Sequence, residues 1–151
     1  MPTVYEIPER KVPTDDNGYL EQMTKAIFQA GFSWRVVRAK WPSFLRAFDE
    51  FHIDLVADYD VPDRERLLND TSIVRNARKI EATIENARIL RRLIADHGSV
   101  WAFLRSLDGL TYPERRKRLS RTFQHLGPTG VFVFLWCVGE DVPAWEERLA
   151  D

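Results

Sequence analysis

A run of seven consecutive apolar residues near the end of the chain, Val131 to Cys137, limits the folds open to this sequence. Such a run fits either a buried strand or a buried helix, and its valines and aromatic residues favour a strand by propensity alone. The rest of the chain offers no second strand candidate, however, and a strand without a partner is not viable. The run therefore predicts a buried helix, and with it an all-α fold.

The longest helix is predicted from about Ile73 to Ala95, with His97-Gly98 ending it. A turn at Asn69–Ser72 connects this helix to a shorter one at Pro62–Leu68, so that the two form a helical hairpin over residues 62–95. Apolar residues recur in the long helix at three- and four-residue multiples, the spacing of a helix with one face on the core. They are Ile73, Ile80, Ile84, Ala87 and Ile94.

Two further helices are predicted on either side of a short loop. The first runs from Tyr19 to Ala30, where the following glycine is a natural stop, and Ser33 is a natural N-cap for the second. That second helix should end before Pro42, because proline is tolerated only in the first turn of a helix. Residues 1–17 contain three prolines and close on Asp-Asp-Asn-Gly. They predict an extended arm in front of a single helical domain, residues 18–151.

Length and composition describe one globular domain, with 151 residues of which 44% are hydrophobic and 30% charged. No apolar run approaches the roughly 20 residues of a membrane span, and the N-terminal residues lack the apolar stretch of a signal peptide. The single cysteine, Cys137, excludes an internal disulfide and suits a reducing compartment. We therefore expect a cytoplasmic protein, a monomer with no membrane partner.

The net charge of −1 is unlike that of most nucleic-acid-binding domains, but the charges are segregated along the chain. Eight acids lie between Asp49 and Asp70, whereas six bases lie between Arg75 and Arg92. A second basic cluster follows Pro113 and consists of Arg115, Arg116, Lys117, Arg118 and Arg121. This pattern is compatible with one DNA-facing side. The alternative is that these charges lie on solvated helix faces.

The predicted hairpin offers a site for a DNA phosphate. Amide hydrogens in the first turn of its second helix have no intrahelical partner, and the helix dipole favours an anion there. Contacts of this kind hold the DNA backbone without reading the base sequence. The alternative is a plain helical hairpin with Ser72 as a cap. The residues predicted to bind the DNA backbone are Thr71, Ser72, Ile73, Val74, Arg75 and Lys79.

Three segments occur in an order and spacing typical of one known family. They are Gln29-Ala30-Gly31-Phe32-Ser33-Trp34, the stretch Asp70-Thr71-Ser72-Ile73-Val74-Arg75 with Lys79-Ile80 after it, and Gly127-Pro128-Thr129 ahead of the apolar helix. In these segments the chain resembles the DNA-3-methyladenine glycosylase I family of helix-hairpin-helix proteins, over roughly residues 13–105 and again over 126–139. The resemblance implies a helix-hairpin-helix glycosylase-like domain that releases alkylated purines such as 3-methyladenine from damaged double-stranded DNA, without a cofactor.

The resemblance also implies roles for the residues of the first segment. Gly31 and Phe32 would press into the base stack at the lesion, and Trp34 would stack on the extruded base. Gln29 and Ser33 belong to the same pocket and wedge. An enzyme that acts on a base has to flip it out and hold it between side chains, often aromatic ones. The alternative for Trp34 is a core tryptophan.

The sequence departs from the family pattern at several places. The family's base-reading glutamate corresponds to Ala26, three residues before the glutamine of the loop. The N-terminal segment that carries aromatic pocket residues is replaced by a short arm with Tyr5 as its one aromatic. Ser72 occupies a hairpin position usually held by glycine, where a positive φ would strain a serine. The family's zinc site needs two cysteines and two histidines; the chain has Cys137 with the scattered His52, His97 and His125, so no zinc is expected.

No catalytic residue follows from the sequence. Glu140 and Asp141, which come after the apolar helix, are candidates by composition only for stabilising the charge that develops on the sugar. Alkylated purines leave readily, so that positioning of the substrate is sufficient in principle. Two other functions stay open beside the glycosylase: a non-catalytic protein that binds DNA lesions or DNA structure, and a helical scaffold reused for a protein partner.

Overall fold

The computed structural model describes residues 6–151, and all regular structure in that range is helical. The all-α prediction is therefore confirmed, and so is the helix for the apolar run. The α-helices of the described range are α1 (Asp16–Gln29), α2 (Trp34–Ala39), α3 (Trp41–Ala47), α4 (Ile53–Ala57), α5 (Val61–Leu68), α6 (Ala77–His97), α7 (Val100–Arg105), α8 (Tyr112–Thr122) and α9 (Pro128–Cys137), with short 3-10 turns at Asp49–Phe51 and Trp145–Glu147.

Helix α9 lies in the middle of the domain because its side chains are apolar on nearly every face. Val131, Val133 and Phe134 are fully buried. A helix without a polar face has to be surrounded by other elements, and α9 packs against both α1 and α8. The arm in front of α1 covers the C-terminal end of α9, where the Lys11 amide donates to the Cys137 carbonyl oxygen at 2.7 Å.

Helix α6 is the second organising element, and it packs against α1, α4, α5 and α7. Most of its apolar stripe is buried as predicted, with Ile80 and Ile84 almost fully enclosed and Ile94 half-buried. The helix ends at Gly98, whose φ of 94° is the left-handed conformation that favours glycine. The end of the helix was therefore predicted correctly to within two residues.

The start of α6 was predicted four residues too early, since the helix begins at Ala77 and not at Ile73. Asn76 is the N-cap, and its side-chain oxygen accepts the Lys79 amide at 3.1 Å. Ile73 is nevertheless buried, so it fits the apolar stripe without being helical. The connection between the hairpin helices consequently covers residues 69–76 instead of 69–72.

The arm is two residues shorter than predicted, because α1 begins at Asp16. The Asp15 carboxylate accepts the Gly18 amide at 3.0 Å and starts the helix there. Residues 1–5 of the predicted arm, Tyr5 included, lie outside the described residues. Within residues 6–151 the structure has no helix with the length and apolar character needed to span a membrane.

Candidate nucleic-acid interface

The loop between α1 and α2 presents one large apolar side chain to solvent. Gly31 has a φ of 68°, a conformation that L side chains rarely adopt. The tight turn this permits is closed by the Phe32 amide, which donates to the Gln29 carbonyl oxygen at 3.0 Å. Phe32 is 51% exposed as a result. An exposed phenyl ring on a tight turn has the form of a wedge.

The polar side chains of the loop either hydrogen-bond to a neighbouring backbone group or are exposed to solvent. Gln29 is buried, and its side-chain amide donates to the Ala26 carbonyl oxygen of its own helix at 3.1 Å. Ser33 occupies the predicted N-cap position of α2, but its exposed hydroxyl makes no capping hydrogen bond. Instead the Ser33 carbonyl oxygen accepts the Val37 amide at 3.2 Å.

Trp34 is a core side chain in this structure, which corresponds to the alternative interpretation of that residue. It is 3% exposed and packs against Trp41, with ring centroids 6.0 Å apart. Trp41 in turn donates its indole N–H to Glu21 at 2.9 Å, whereas the buried indole N–H of Trp34 has no hydrogen-bond partner within residues 6–151.

Lys79 contacts the α1–α2 loop. Its ammonium donates to the carbonyl oxygens of Ala30 at 2.7 Å and Phe28 at 3.3 Å, and the side chain is buried. Burial lowers the pKa of Lys79 below its usual range. The charge lies at the C-terminal end of α1, where unpaired carbonyl oxygens attract a cation. This placement differs from the predicted phosphate contact, because the amine is directed inward to the loop.

The hairpin turn is organised by Asp70. Its carboxylate accepts both the amide of Ser72 at 2.9 Å and the Ser72 hydroxyl, and these bonds lower the pKa of Asp70. The Ser72 amide, predicted to face a phosphate, is therefore occupied. The backbone of Ser72 lies outside the left-handed region, so serine is not strained there.

The rest of the predicted phosphate site divides into exposed and buried residues. Thr71 and Arg75 are exposed, Val74 is half-buried and Ile73 is fully covered. Arg78, which the sequence analysis did not single out, is exposed in the first turn of α6. The backbone amides of Val74, Arg75, Ala77 and Arg78 make no hydrogen bond within the described residues. These amides and the two arginines remain available to a phosphate.

A cavity of about 780 Å³ opens beside this loop, between the end of α1, helix α8 and the segment that leads into α9. Ala26 and Ala30 form its α1 side, and Ala26 is the position that the resemblance matches to the family's base-reading glutamate. Within the described part of the chain no carboxylate lines it. The other lining residues are Arg116, Lys117, Ser120, Arg121, His125, Leu126, Gly127, Pro128, Thr129 and Gly130.

The sequence analysis did not assign a helix to the α8 wall of this cavity. The sequence nevertheless contains two signals for the start of this helix, a capping box and a proline in the first turn. The Thr111 hydroxyl accepts the Glu114 amide at 3.3 Å, and the Glu114 carboxylate accepts the Thr111 amide at 2.8 Å. The basic cluster noted in the sequence is therefore one helix, with part of it facing the cavity.

The basic side chains of α8 differ in whether they form ion pairs and hydrogen bonds. Arg116 is 5% exposed and donates to the Arg148 and Ala150 carbonyl oxygens and to Asp151. Lys117 lies 3.3 Å from the same Asp151 carboxylate. Arg121 is exposed and makes no ion pair or hydrogen bond within residues 6–151.

The part of the rim that follows α8 in the chain is held by Asn86 of α6. This fully buried side chain accepts the Gln124 amide at 2.7 Å and donates to the Gln124 carbonyl oxygen at 3.1 Å. The next residue, His125, takes a left-handed conformation with φ 58°. Partial burial, followed by the charges of Lys79 and Arg78, lowers the pKa of His125. The imidazole on the cavity rim is therefore harder to protonate than that of a solvated histidine.

Glu140 and Asp141 do not reach this cavity. They follow the C-terminal end of α9, whereas the cavity lies at its N-terminal end, and ten residues of helix span about 15 Å. Glu140 is buried and forms an ion pair with the half-buried Arg105, and the Glu140 carbonyl oxygen accepts a hydrogen bond from Arg10 at 2.9 Å. Its role in this structure is to hold the arm and α7 against the end of α9.

The residues present do not fit the zinc site of the family. Cys137 is buried with its Sγ 3.7 Å from the Pro8 carbonyl oxygen, and burial raises the pKa of Cys137 to about 12. The three histidines lie on separate elements, at the start of α4, the last residue of α6 and the cavity rim. Across residues 6–151 no group of three or more histidine, cysteine, aspartate or glutamate side chains is arranged to hold a metal ion.

The helical fold, the hairpin and the cavity at the end of α1 define a helix-hairpin-helix protein of the DNA glycosylase class. A model of the methyladenine glycosylase family matches residues 9–140, and the chain belongs to that family. The resemblance found in the sequence is thereby confirmed.

Individual relatives agree with this assignment. DNA-3-methyladenine glycosylase 1 of Escherichia coli (strain K12) is 38% identical over 85 residues, which make up 56% of this chain and 46% of that protein. The match thus spans about half the length of the relative. The 3-methyladenine DNA glycosylase I of Staphylococcus aureus is 25% identical with a TM-score of 0.76, over 89% of this chain and 81% of that one. A 3-methyladenine DNA glycosylase I structure in complex with 3-methyladenine gives a TM-score of 0.77 at 25% identity, over 89% and 82%.

Proposed function

We propose that this protein is a base-excision DNA N-glycosylase that releases alkylated purines such as 3-methyladenine from damaged duplex DNA. One observation carries the proposal: the cavity begins at Ala30, two residues before the exposed Phe32. A wedge that opens the base stack and a pocket for the extruded base belong side by side in such an enzyme. The volume of about 780 Å³ lies within the usual range of ligand pockets.

The hairpin supplies the grip on DNA in this proposal. Free amides at the start of α6, together with its dipole, bind one phosphate, and the exposed Arg75 and Arg78 add charge. Arg78 and His125 line a second depression that adjoins the cavity rim, and Glu81 and Glu85 line its other part. In this proposal a DNA strand held by Arg75 and Arg78 passes the mouth of the cavity on the side of Arg78.

The protein contributes to the reaction mainly by positioning the flipped nucleotide. Water forms a bond to C1′ of the sugar, the bond from C1′ to the purine nitrogen breaks, and the bonding electrons leave with the base while the proton of the water passes to solvent. A cationic alkylated purine departs as a neutral base, so no strong general acid is needed. Holding the flipped nucleotide in one orientation lowers the entropic part of the barrier.

The first experiment measures base release from methylated duplex DNA by the wild-type protein and by Phe32→Ala. Released bases are separated by chromatography, and binding to a duplex with an abasic site is followed in parallel. We expect 3-methyladenine release by the wild type and a loss of about tenfold or more in Phe32→Ala, because the unstacking energy of a few kcal/mol is no longer supplied. Phe32 is half exposed, so the variant should fold normally.

The two alternative functions give other results. Binding to the abasic duplex without base release indicates a protein that binds DNA lesions or DNA structure. Absence of both activities indicates a scaffold for a protein partner. Release that is equal in the wild type and in Phe32→Ala contradicts the proposed wedge role of Phe32.

A further inference from the structure

His125 lies where the cavity meets the second depression. Among the described residues it alone lines both, so it shares the cavity with Ala26 and the second depression with Arg78 of the hairpin. Its side chain is exposed and makes no hydrogen bond or ion pair within residues 6–151. The imidazole is therefore free to bind a water molecule on the rim.

The backbone holds the imidazole at this place. His125 has a φ of 58°, in the left-handed region that is uncommon for residues other than glycine. Asn86 fixes the preceding residue through two hydrogen bonds to the backbone of Gln124, at 2.7 and 3.1 Å. Sparsely populated conformations persist where the surrounding structure maintains them, and they cluster at functional sites. A left-handed residue held in this way indicates a functional position.

Among the residues that the structure describes, no other side chain of the cavity wall is a base near neutral pH. Arg116, Lys117 and Arg121 are cations without a free lone pair. The hydroxyls of Ser120 and Thr129 can accept hydrogen bonds, but they are much weaker bases than an imidazole. The ordinary pKa of a histidine is close to the pH at which a proton has to be taken up.

The two carboxylates of the second depression are engaged by arginines. Glu81 accepts hydrogen bonds from Arg64 at 2.6 and 2.9 Å, and this contact lowers the pKa of Glu81. Glu85 accepts a hydrogen bond from Arg88 at 3.3 Å. A carboxylate held by a guanidinium is a poor proton acceptor, so His125 is the available base on this side as well.

We propose that His125 is a general base of this glycosylase and takes the proton from the water molecule that attacks C1′. The inference rests on the proposed function, since it adds a catalytic residue to the same site. With the flipped base in the cavity and the neighbouring phosphate held on the side of Arg78, the sugar between them lies at the rim. His125 occupies the rim at that crossing, and a water molecule bound to it lies beside C1′.

The step is a displacement at C1′. The water oxygen forms a bond to C1′ as the bond from C1′ to the purine nitrogen breaks, and the bonding electrons leave with the purine. One proton of the water passes to the imidazole nitrogen, which later returns it to the solvent. The cationic alkylated purine departs as a neutral base, so the reaction needs no proton donor.

The charged groups around His125 come from two helices. They are Arg78, Lys79, Glu81 and Glu85 of α6 and Arg116, Lys117 and Arg121 of α8. Partial burial, followed by the charges of Lys79 and Arg78, lowers the pKa of His125, so more of the imidazole is unprotonated below pH 6.5 than in a solvated histidine. A general base acts in its unprotonated form, and base release should therefore rise with pH through this pKa and then level off.

The test measures release of 3-methyladenine from methylated duplex DNA in single turnovers, with protein in excess, between about pH 5 and 8. Release without protein is subtracted. The variants are His125→Asn and His125→Gly, because asparagine and glycine tolerate the left-handed backbone. Gln124→Ala is the matched control, since Gln124 is an exposed neighbour that lines the second depression without being a base. Binding to a duplex with an abasic-site analogue and thermal unfolding are measured for each protein at each pH.

We expect the wild-type rate to fall as the pH drops through the pKa of His125. Both His125 variants should lose this acid limb and release the base about a hundredfold more slowly at neutral pH. Added imidazole should restore part of the rate of His125→Gly, because it can enter the space left by the side chain, and should not change the wild-type rate. Gln124→Ala should keep the wild-type rate and pH profile.

Other results overturn the inference in distinguishable ways. Equal rates and pH profiles in the wild type and His125→Asn contradict a general base and leave the proposed function intact. Weaker binding to the abasic duplex with an unchanged single-turnover rate shows that His125 holds a phosphate. Slower release with an unchanged acid limb and no response to imidazole shows a structural role. Absence of release by the wild type overturns the proposed function and this inference together.

Discussion

The Lys79 ammonium donates to the Ala30 carbonyl oxygen at 2.7 Å, and so joins the first turn of α6 to the end of α1. The contact connects the hairpin that is proposed to hold DNA with the loop that exposes Phe32. It also places a buried positive charge at the negative end of a helix dipole. The position of the wedge relative to the hairpin therefore depends on this residue.

Replacement of Lys79 should lower both stability and base release. We expect Lys79→Met to lower the free energy of unfolding by about 2 kcal/mol, because two carbonyl oxygens lose a charged donor. Urea unfolding measures the change. Arg78→Met is the control: it removes a neighbouring but exposed charge and should stay within about 0.5 kcal/mol of the wild type. An unchanged urea midpoint for Lys79→Met would show that the contact does not stabilise the fold.

DNA binding should depend on the exposed arginines of the hairpin. Arg75→Ala should weaken binding to all duplexes about equally and reduce the slope of log affinity against log salt by about one. Arg92→Ala is the matched control, since Arg92 is exposed on α6 but roughly 20 Å from the first turn of that helix, which Arg75 adjoins. Binding isotherms at several salt concentrations measure the slopes. Equal effects of the two substitutions would contradict a phosphate site at the hairpin.

Asn86 should be needed for the cavity rim. Asn86→Ala removes both hydrogen bonds to the backbone of Gln124 and leaves the part-buried Gln124 amide and carbonyl groups without these partners. We expect a loss of about 2 to 3 kcal/mol in the free energy of unfolding. Gln124→Ala leaves those backbone bonds in place and should be close to neutral. Wild-type stability in Asn86→Ala would mean that the rim is held by other contacts.

His125 should make stability depend on pH. Its pKa is lowered from the ordinary value of 6.5, so below pH 6.5 the unfolded chain takes up more protons than the folded protein. Stability is therefore complete above about pH 6.5 and is lost as the pH falls towards the lower pKa of the folded state. His125→Asn keeps a residue that tolerates the left-handed backbone and should lose less stability over this range. Urea unfolding at pH 5, 6 and 7 compares the two proteins, and parallel pH profiles would exclude a role for His125.

Local features of the fold were predictable because their causes are local. Pro42 lies in the first turn of α3, and Gly98 ends α6 in a left-handed conformation. The start of α6 was missed because Asn76 and the Asp70 turn compete with helix formation over residues 70–76. The capping box that starts α8 is visible in the sequence, but the sequence analysis interpreted this segment only as a basic cluster.

The sequence by itself determined the all-α class, the helical hairpin and the family, because helix periodicity, caps and motif order are properties of neighbouring residues. Only the tertiary structure decided that Trp34 packs in the core, that Lys79 points to a carbonyl oxygen 49 residues away, and that the cavity at Ala26 is bordered by basic residues of α8. Those outcomes depend on which side chains α1, α6, α8 and α9 bring together. Packing of distant segments sets the surroundings of each polar group, and these surroundings decide what the group can bind.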